Sequence, residues 1–172
     1  MIQQADHSYE VYVDLATGLY DRRTMWSRLA EEVARAQRYH YPFSLMLITL
    51  RNRDAKPEVE ELPELAGLLK QHTRAADILA RYSEDTLAIL LPCTDEQGAV
   101  RLAERIHQIV VEKMLPQHHT MHTVHIGLTT TSGENVGDKV ALVEQVEWAL
   151  RKAQAPGGEH RTVVVPTPAQ AS

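Results

Sequence analysis

The run Leu45-Met46-Leu47-Ile48-Thr49-Leu50 constrains the fold of this chain more than any other stretch. Successive side chains of a β-strand point to opposite faces, so a strand apolar on both parities from Leu45 to Ile48 has to be covered on both sides. It reads as a central strand. Pro42 separates it from an amphipathic helix expected over Thr24–Tyr41, where Trp26, Leu29, Val33 and Ala36 recur at helical spacing. A second helix is expected over Val59–Thr73, with Leu62, Leu65, Ala66 and Leu69 on one face and Pro63 in the first turn, where proline is tolerated. Two β-like runs, Asp77–Tyr82 and Thr86–Pro92, flank the polar knot Ser83-Glu84-Asp85-Thr86 and predict a tight hairpin. Helical spacing returns over Asp95–Met114 through Ala99, Leu102, Ala103, Ile106 and Val110. A strand follows over Met121–Thr131, with His122, Val124, Ile126 and Leu128 on one parity. Lys139–Ala155 predicts a last helix, stopped by Pro156-Gly157-Gly158, and Arg161–Val165 a last strand. The fold class implied is α+β.

Composition narrows the function classes. With 172 residues, 44% of them hydrophobic, the chain suits one globular domain with a full core. Its 18 basic and 23 acidic residues leave a net charge of −5, and the basic ones are scattered, which argues against a nucleic-acid partner. Cys93 is the single cysteine and cannot close an intrachain disulfide. The apolar runs are too short to span a bilayer, and MIQQADHSYE lacks the basic start and apolar stretch of a secretion signal. A soluble, cytoplasmic protein with no membrane insertion is the expectation.

Several motifs, taken in order, carry a family resemblance. DLATGLYDRRTM (Asp14–Met25) resembles the D-x-L-T-G-L-x-N-R-R opening of the diguanylate cyclase (GGDEF) family, and RYSEDTLAILLP (Arg81–Pro92) resembles its R-Y-G-G-D-E-F-x-x-x-L-P hairpin. TDEQGAVRLAERI is similar to the helix after that hairpin, HTVHIGLTT to the V-S-I-G strand, and VEWALRKAQAPGG to the closing A-D-x-A-L-Y-x-A-K-x-x-G-R segment. The resemblance implies a palm-like nucleotide-cyclase fold, with a central, mainly antiparallel sheet surrounded by helices. It divides the chain into an N-terminal segment 1–13, a degenerate GGDEF domain 14–165 and a flexible tail 166–172.

Membership in a family does not deliver activity, which has to be argued from the site. Cyclases of this family join two GTP molecules into cyclic di-GMP, and the metal pair they use needs carboxylate oxygens. The position of the first metal aspartate is taken here by Thr49, with Arg51 where a second usually stands. In the signature itself, Ser83 and Glu84 replace two glycines, Asp85 survives, and Thr86 and Leu87 complete a degenerate Ser83-Glu84-Asp85-Thr86-Leu87. The loop that reads guanine in the family is shortened, and the triphosphate clamp positions read Gln154 and Gly158. Without metal ligand, glycine turn, base reader and phosphate clamp, nothing remains to stabilise a transition state, so no catalytic residue and no cofactor are expected.

Upstream of the hairpin, Arg74 and Asp77 stand three apart and five residues before the signature, matching the R-x-x-D product site through which many relatives sense cyclic di-GMP. Arg105 aligns with a basic residue that often completes that site. An arginine fork suits guanine O6 and N7, and a carboxylate suits the N1 and N2 edge. The opposing reading is a salt bridge at a helix end. Two functions therefore stand side by side. One is a cyclic di-GMP receptor, and the other is a protein-interaction scaffold that binds no nucleotide and acts through a partner protein or homodimer. Either way, what the chain regulates is expected to be another polypeptide, or a larger protein of which it is a piece.

The histidines of QHHTMHTVH raise a metal question. His122 and His125 have opposite parity and face opposite sides of a strand, so solvated His118 and His119 with one half-buried ring are expected, and no metal. Cys93 reads as a small packed residue. Trp26 and Trp148 read as core or interface anchors.

Overall fold

The computed structural model describes residues 11–52, 54, 56–114, 116, 122–156 and 161–166. Among these described residues five strands form one sheet in the order β2-β3-β1-β4-β5, from β1 (Ser44–Arg51), β2 (Ile78–Arg81), β3 (Thr86–Leu91), β4 (Thr123–Thr130) and β5 (Arg161–Pro166). Strand β1 lies between β3 and β4, antiparallel to both, β2 pairs antiparallel with β3, and only β4 and β5 run parallel. The expected central strand is thus central, and the sheet is mainly antiparallel.

Among the described residues, four α-helices cover the sheet, namely α1 (Arg22–Tyr39), α2 (Leu62–His72), α3 (Glu96–Ile109) and α4 (Lys139–Ala153). Met46, Ile48 and Leu50 of β1 pack with Leu62, Leu65 and Leu69 of α2 and Ala99, Ala103 and Ile106 of α3. Leu45 and Leu47 pack on the other side with Met25, Leu29 and Val33 of α1 and Leu142, Val143 and Val146 of α4. The alternation of β1 therefore feeds two cores, and each fully buried leucine contributes roughly 1.5–3 kcal/mol of transfer free energy. Helix α3 passes into a π-helical turn over Val110–Met114, so the expected helix to Met114 is one rod with a changed last turn.

Local chemistry sets the helix ends. Asp21, Asp95 and Asp138 each accept a backbone N–H at the start of α1, α3 and α4. Helix α2 starts instead with proline in its first turn. The opening motif lies along the edge of the sheet: Tyr20 donates to Leu79 O and accepts from Arg81 N–H, which covers one end of β2.

Among the expectations about single residues, that for Trp26 and Trp148 covered both a core and an interface position, and that for Cys93 is corrected. Trp26 packs against the α1–α4 core, but Trp148 is 47% exposed on α4 with the Lys152 ammonium 5.2 Å from its ring centroid. Its apolar neighbours in sequence lie on a different face of the helix. Cys93 is exposed and holds a left-handed backbone (φ 49°) two residues after the end of β3, so it is a turn residue rather than a packed one.

Gly127 marks the tightest contact between sheet and helix. A Cβ there would lie 2.4 Å from Leu150 N and 2.6 Å from Val146 O, so α4 can seat on β4 only because residue 127 has no side chain. Gly67, within α2, has nothing within 4 Å of such a Cβ. Urea denaturation should therefore separate the two: Gly127→Ala loses about 2–3 kcal/mol by overpacking, whereas Gly67→Ala gains about 0.5–1 kcal/mol from helix propensity.

Candidate functional site

The hairpin between β2 and β3 closes tightly, with both Tyr82 N–H and Ser83 N–H donating to Thr86 O at 2.8 and 3.2 Å. Neither Ser83 nor Glu84 adopts a positive φ, which is why a turn that holds glycines in relatives accepts side chains here. Arg81 braces the turn from below, donating to Ser83 O at 3.1 Å and to Glu84 O at 2.5 Å. The same guanidinium lies 3.5 Å from Asp14 of the opening motif. Tyr82, at the hairpin base, donates to Glu147 of α4 at 2.5 Å and lies under the Arg22 guanidinium. Burial, then the bond to Glu147, pushes its phenol up to about 12.

Asp85, the surviving signature carboxylate, is engaged on both oxygens. Its Oδ1 accepts from Ser83 at 3.0 Å and Thr86 at 2.9 Å, while Oδ2 faces Arg51 Nη2 at 3.4 Å. Thr86 and Thr49 are register partners across β3 and β1, which brings these side chains to one end of the sheet. Thr49 in turn accepts a hydrogen bond from Gln154 Nε2 at 3.1 Å. Two positions that differ from the family pattern thus satisfy each other, and a third supplies the cation for Asp85. Gly158 lies outside the described residues. The loop after β1 is a tight return in which Asn52 Oδ1 accepts the N–H of Asp54 and Lys56, and Arg51 bridges Pro57.

Arg74, Asp77 and Arg105 come together on one cleft of about 610 Å³ between the end of α2, the start of β2 and α3. Asp77 sits half-buried, and its Oδ2 accepts the backbone N–H of Arg74 at 2.8 Å. That bond comes from the main chain, so it closes the turn that presents the Arg74 side chain. An ionised carboxylate offers about four acceptor sites, so one bond leaves capacity for a ligand. Burial raises the Asp77 pKa above its ordinary value, against the Arg74 N–H and the charges of Arg74 and Arg105. Arg105 donates to the carbonyl of His72 at the end of α2, which anchors it at the rim. Arg101, one helical turn before Arg105, also lines the cleft and was not anticipated. The four-residue spacing in RLAER carried that signal, since residues i and i+4 share a helix face. Three arginines against one acid make the cleft cationic.

Of the histidines, His118 and His119 lie outside the described residues. His122 and His125 divide between the two faces as parity required: His122 shares its parity with the α2–α3 core, and His125 stands opposite Thr49. The expectation of one half-buried ring fails, because both are buried, at 1% and 6% exposure. The sheet and helices cover the start of β4 more fully than the sequence suggested.

Asp14 provides a titration test of the hairpin brace. Burial pushes its carboxyl up, but the Thr17 hydrogen bonds and the Arg81 guanidinium outweigh burial and hold the pKa below the ordinary 3.8. A depressed folded pKa stabilises above the unfolded value and stops doing so as pH falls through the folded value. Asp14→Asn should therefore cost about 1–2 kcal/mol at pH 7, and the gap to wild type should shrink toward zero in urea titrations below the ordinary 3.8.

Comparison with known proteins accords with this geometry. The family model "Diguanylate cyclase, GGDEF domain" matches residues 60–160, more than half of the chain. The response regulator PleD of Caulobacter vibrioides is 33% identical over 167 residues, which is 88% of this chain but 36% of PleD, so the chain spans about a third of that relative. The GGDEF domain of DgcB from Caulobacter crescentus, solved in complex with c-di-GMP, superposes with a TM-score of 0.74 at 17% identity over 88% of this chain and 92% of that one. Diguanylate cyclase SiaD of Pseudomonas aeruginosa, solved with its activator SiaC, superposes at 0.70 with 25% identity over 90% and 61%. With the sheet order, the hairpin and the family model in agreement, the chain belongs to the diguanylate cyclase GGDEF domain family.

Proposed function

We propose that this GGDEF domain is catalytically inactive and acts as a cyclic di-GMP receptor through Arg74, Asp77 and Arg105. The cleft carries the reading, because it gathers these residues with Arg101 around a space of about 610 Å³. A dinucleotide with two phosphodiesters suits a site with an excess of cations, and its guanines suit arginine forks and a carboxylate. The DgcB relative was solved with this dinucleotide, which supports the ligand class.

The inactive half of the proposal rests on the hairpin. Asp85 already accepts from Ser83 and Thr86 and faces Arg51, which leaves it about one of four acceptor sites for Mg²⁺ beside a cation, and Thr49 would offer one neutral hydroxyl already engaged by Gln154. Mg²⁺ demands near-octahedral oxygen ligation and gives up its water reluctantly, so this set serves it poorly. A second reading, a scaffold that binds a protein and no nucleotide, is favoured by the exposed apolar run of Val11, Tyr12, Val13 and Leu15, the last 97% exposed. The SiaD relative was solved with a protein activator, which suits that reading.

Calorimetric titration of cyclic di-GMP into wild type, Arg74→Ala and Asp77→Asn decides between them. The receptor reading expects binding to wild type that weakens by about 10- to 100-fold on loss of one such bidentate contact. A flat wild-type trace would assign the domain to the scaffold reading. Dinucleotide formation from GTP and Mg²⁺ would overturn inactivity.

A further inference from the structure

We propose a transition-metal site, apart from the hairpin and the arginine cleft, formed by Glu58, Glu61 and His122. One donor atom from each lies within 4.8 Å of the other two. The closest pair is His122 Nε2 and Glu61 Oε2, at 2.6 Å. The imidazole is 1% exposed, while both glutamates are half-buried, so the group has a dry floor and a solvent-facing side. That is the form of a three-ligand site with a fourth position open to water.

Three elements bring these residues together, and each is held by its own backbone. Glu58 N–H donates to Leu50 O at 3.1 Å, which folds the loop after β1 back on the strand. Glu61 occupies the residue before α2 but makes no capping bond with its side chain, which is directed to His122 instead. His122 immediately precedes β4, on the face that packs against α2 and α3. Thr49, Arg51 and Asp85 serve the other face, so this group is separate from the degenerate hairpin.

Charge and ligand type select the ion. Two carboxylates and one imidazole are net negative on their own even with the ring protonated, and a dication removes that excess in a half-buried place. A mixed nitrogen and oxygen set suits Zn²⁺ and its neighbours, whereas Mg²⁺ takes oxygen alone and keeps its water. At 2.6 Å the donor atoms of His122 and Glu61 are closer than two ligands of one ion. A tetrahedral ion with ligands near 2.05 Å needs them about 3.3 Å apart, a small rotation for a side chain that reaches solvent as Glu61 does. Bound there, the ion would clip the loop after β1 to the start of β4 and fix the entry to α2.

The test is calorimetric titration of Zn²⁺ into chelator-stripped protein, with thermal melting as a second readout. Wild type, Glu58→Gln, Glu61→Gln and a His118→Ala/His119→Ala double variant are compared, and His122→Gln is added if it folds. One equivalent of Zn²⁺ is expected to bind and raise Tm, with affinity lost by about tenfold or more in each glutamate variant and kept in the double variant. Excess Mg²⁺ should not compete. The proposal is overturned if wild type binds no Zn²⁺, or if Glu58→Gln and Glu61→Gln bind it as wild type does. In the first case the His122–Glu61 pair is a structural contact only.

Discussion

Strand β1 is buried on both faces, and most of the structure follows from that burden. Every residue from Leu45 to Leu50 is at most 1% exposed, so each polar group on the strand has to find a partner inside the protein. Ser44 does so with Thr94 O and Thr130, and Thr49 with Gln154. A carboxylate at Thr49 would be a buried charge in need of a cation. With a hydroxyl there, the strand end becomes neutral and the amide of Gln154 suffices.

The same economy accounts for the contrast between the two sites that resemble family sites. At the hairpin, charges are matched within the chain: Asp85 with Arg51, and Asp14 with Arg81. Such closed pairs hold a fold together and have little left to offer an ion or a nucleotide. The cleft is the reverse, with Arg74, Arg101 and Arg105 around Asp77 and part of each arginine facing solvent. An excess of one sign on a concave surface favours a ligand of the other. The two places on one domain thus differ in charge balance: the hairpin pairs its acids within the chain, and the cleft holds more cations than acids.

Much of this was legible in the chain because it depends on periods and near neighbours. Apolar spacing placed all four helices and five strands to within a few residues, and the distance from Arg74 to Asp77 sufficed to place both on one turn. Where the reading failed, the cause was a contact between distant segments. Cys93 follows a buried strand yet turns outward. His122 and His125 were weighed against each other, when the group that includes His122 is completed by Glu58 and Glu61, some sixty residues earlier in the chain.

By itself the sequence determined the layers, the central strand, the hairpin and the hydroxyl at Thr49, because composition and period act locally. Only tertiary structure decided which side chains meet there: Gln154 reaching Thr49 and Arg51 reaching Asp85. It also decided that Arg101 joins the cleft and that α4 seats on Gly127. The physical reason is that hydrogen bonds and charge pairs act over a few ångströms, and which side chains come within that range depends on how strands register and helices cross.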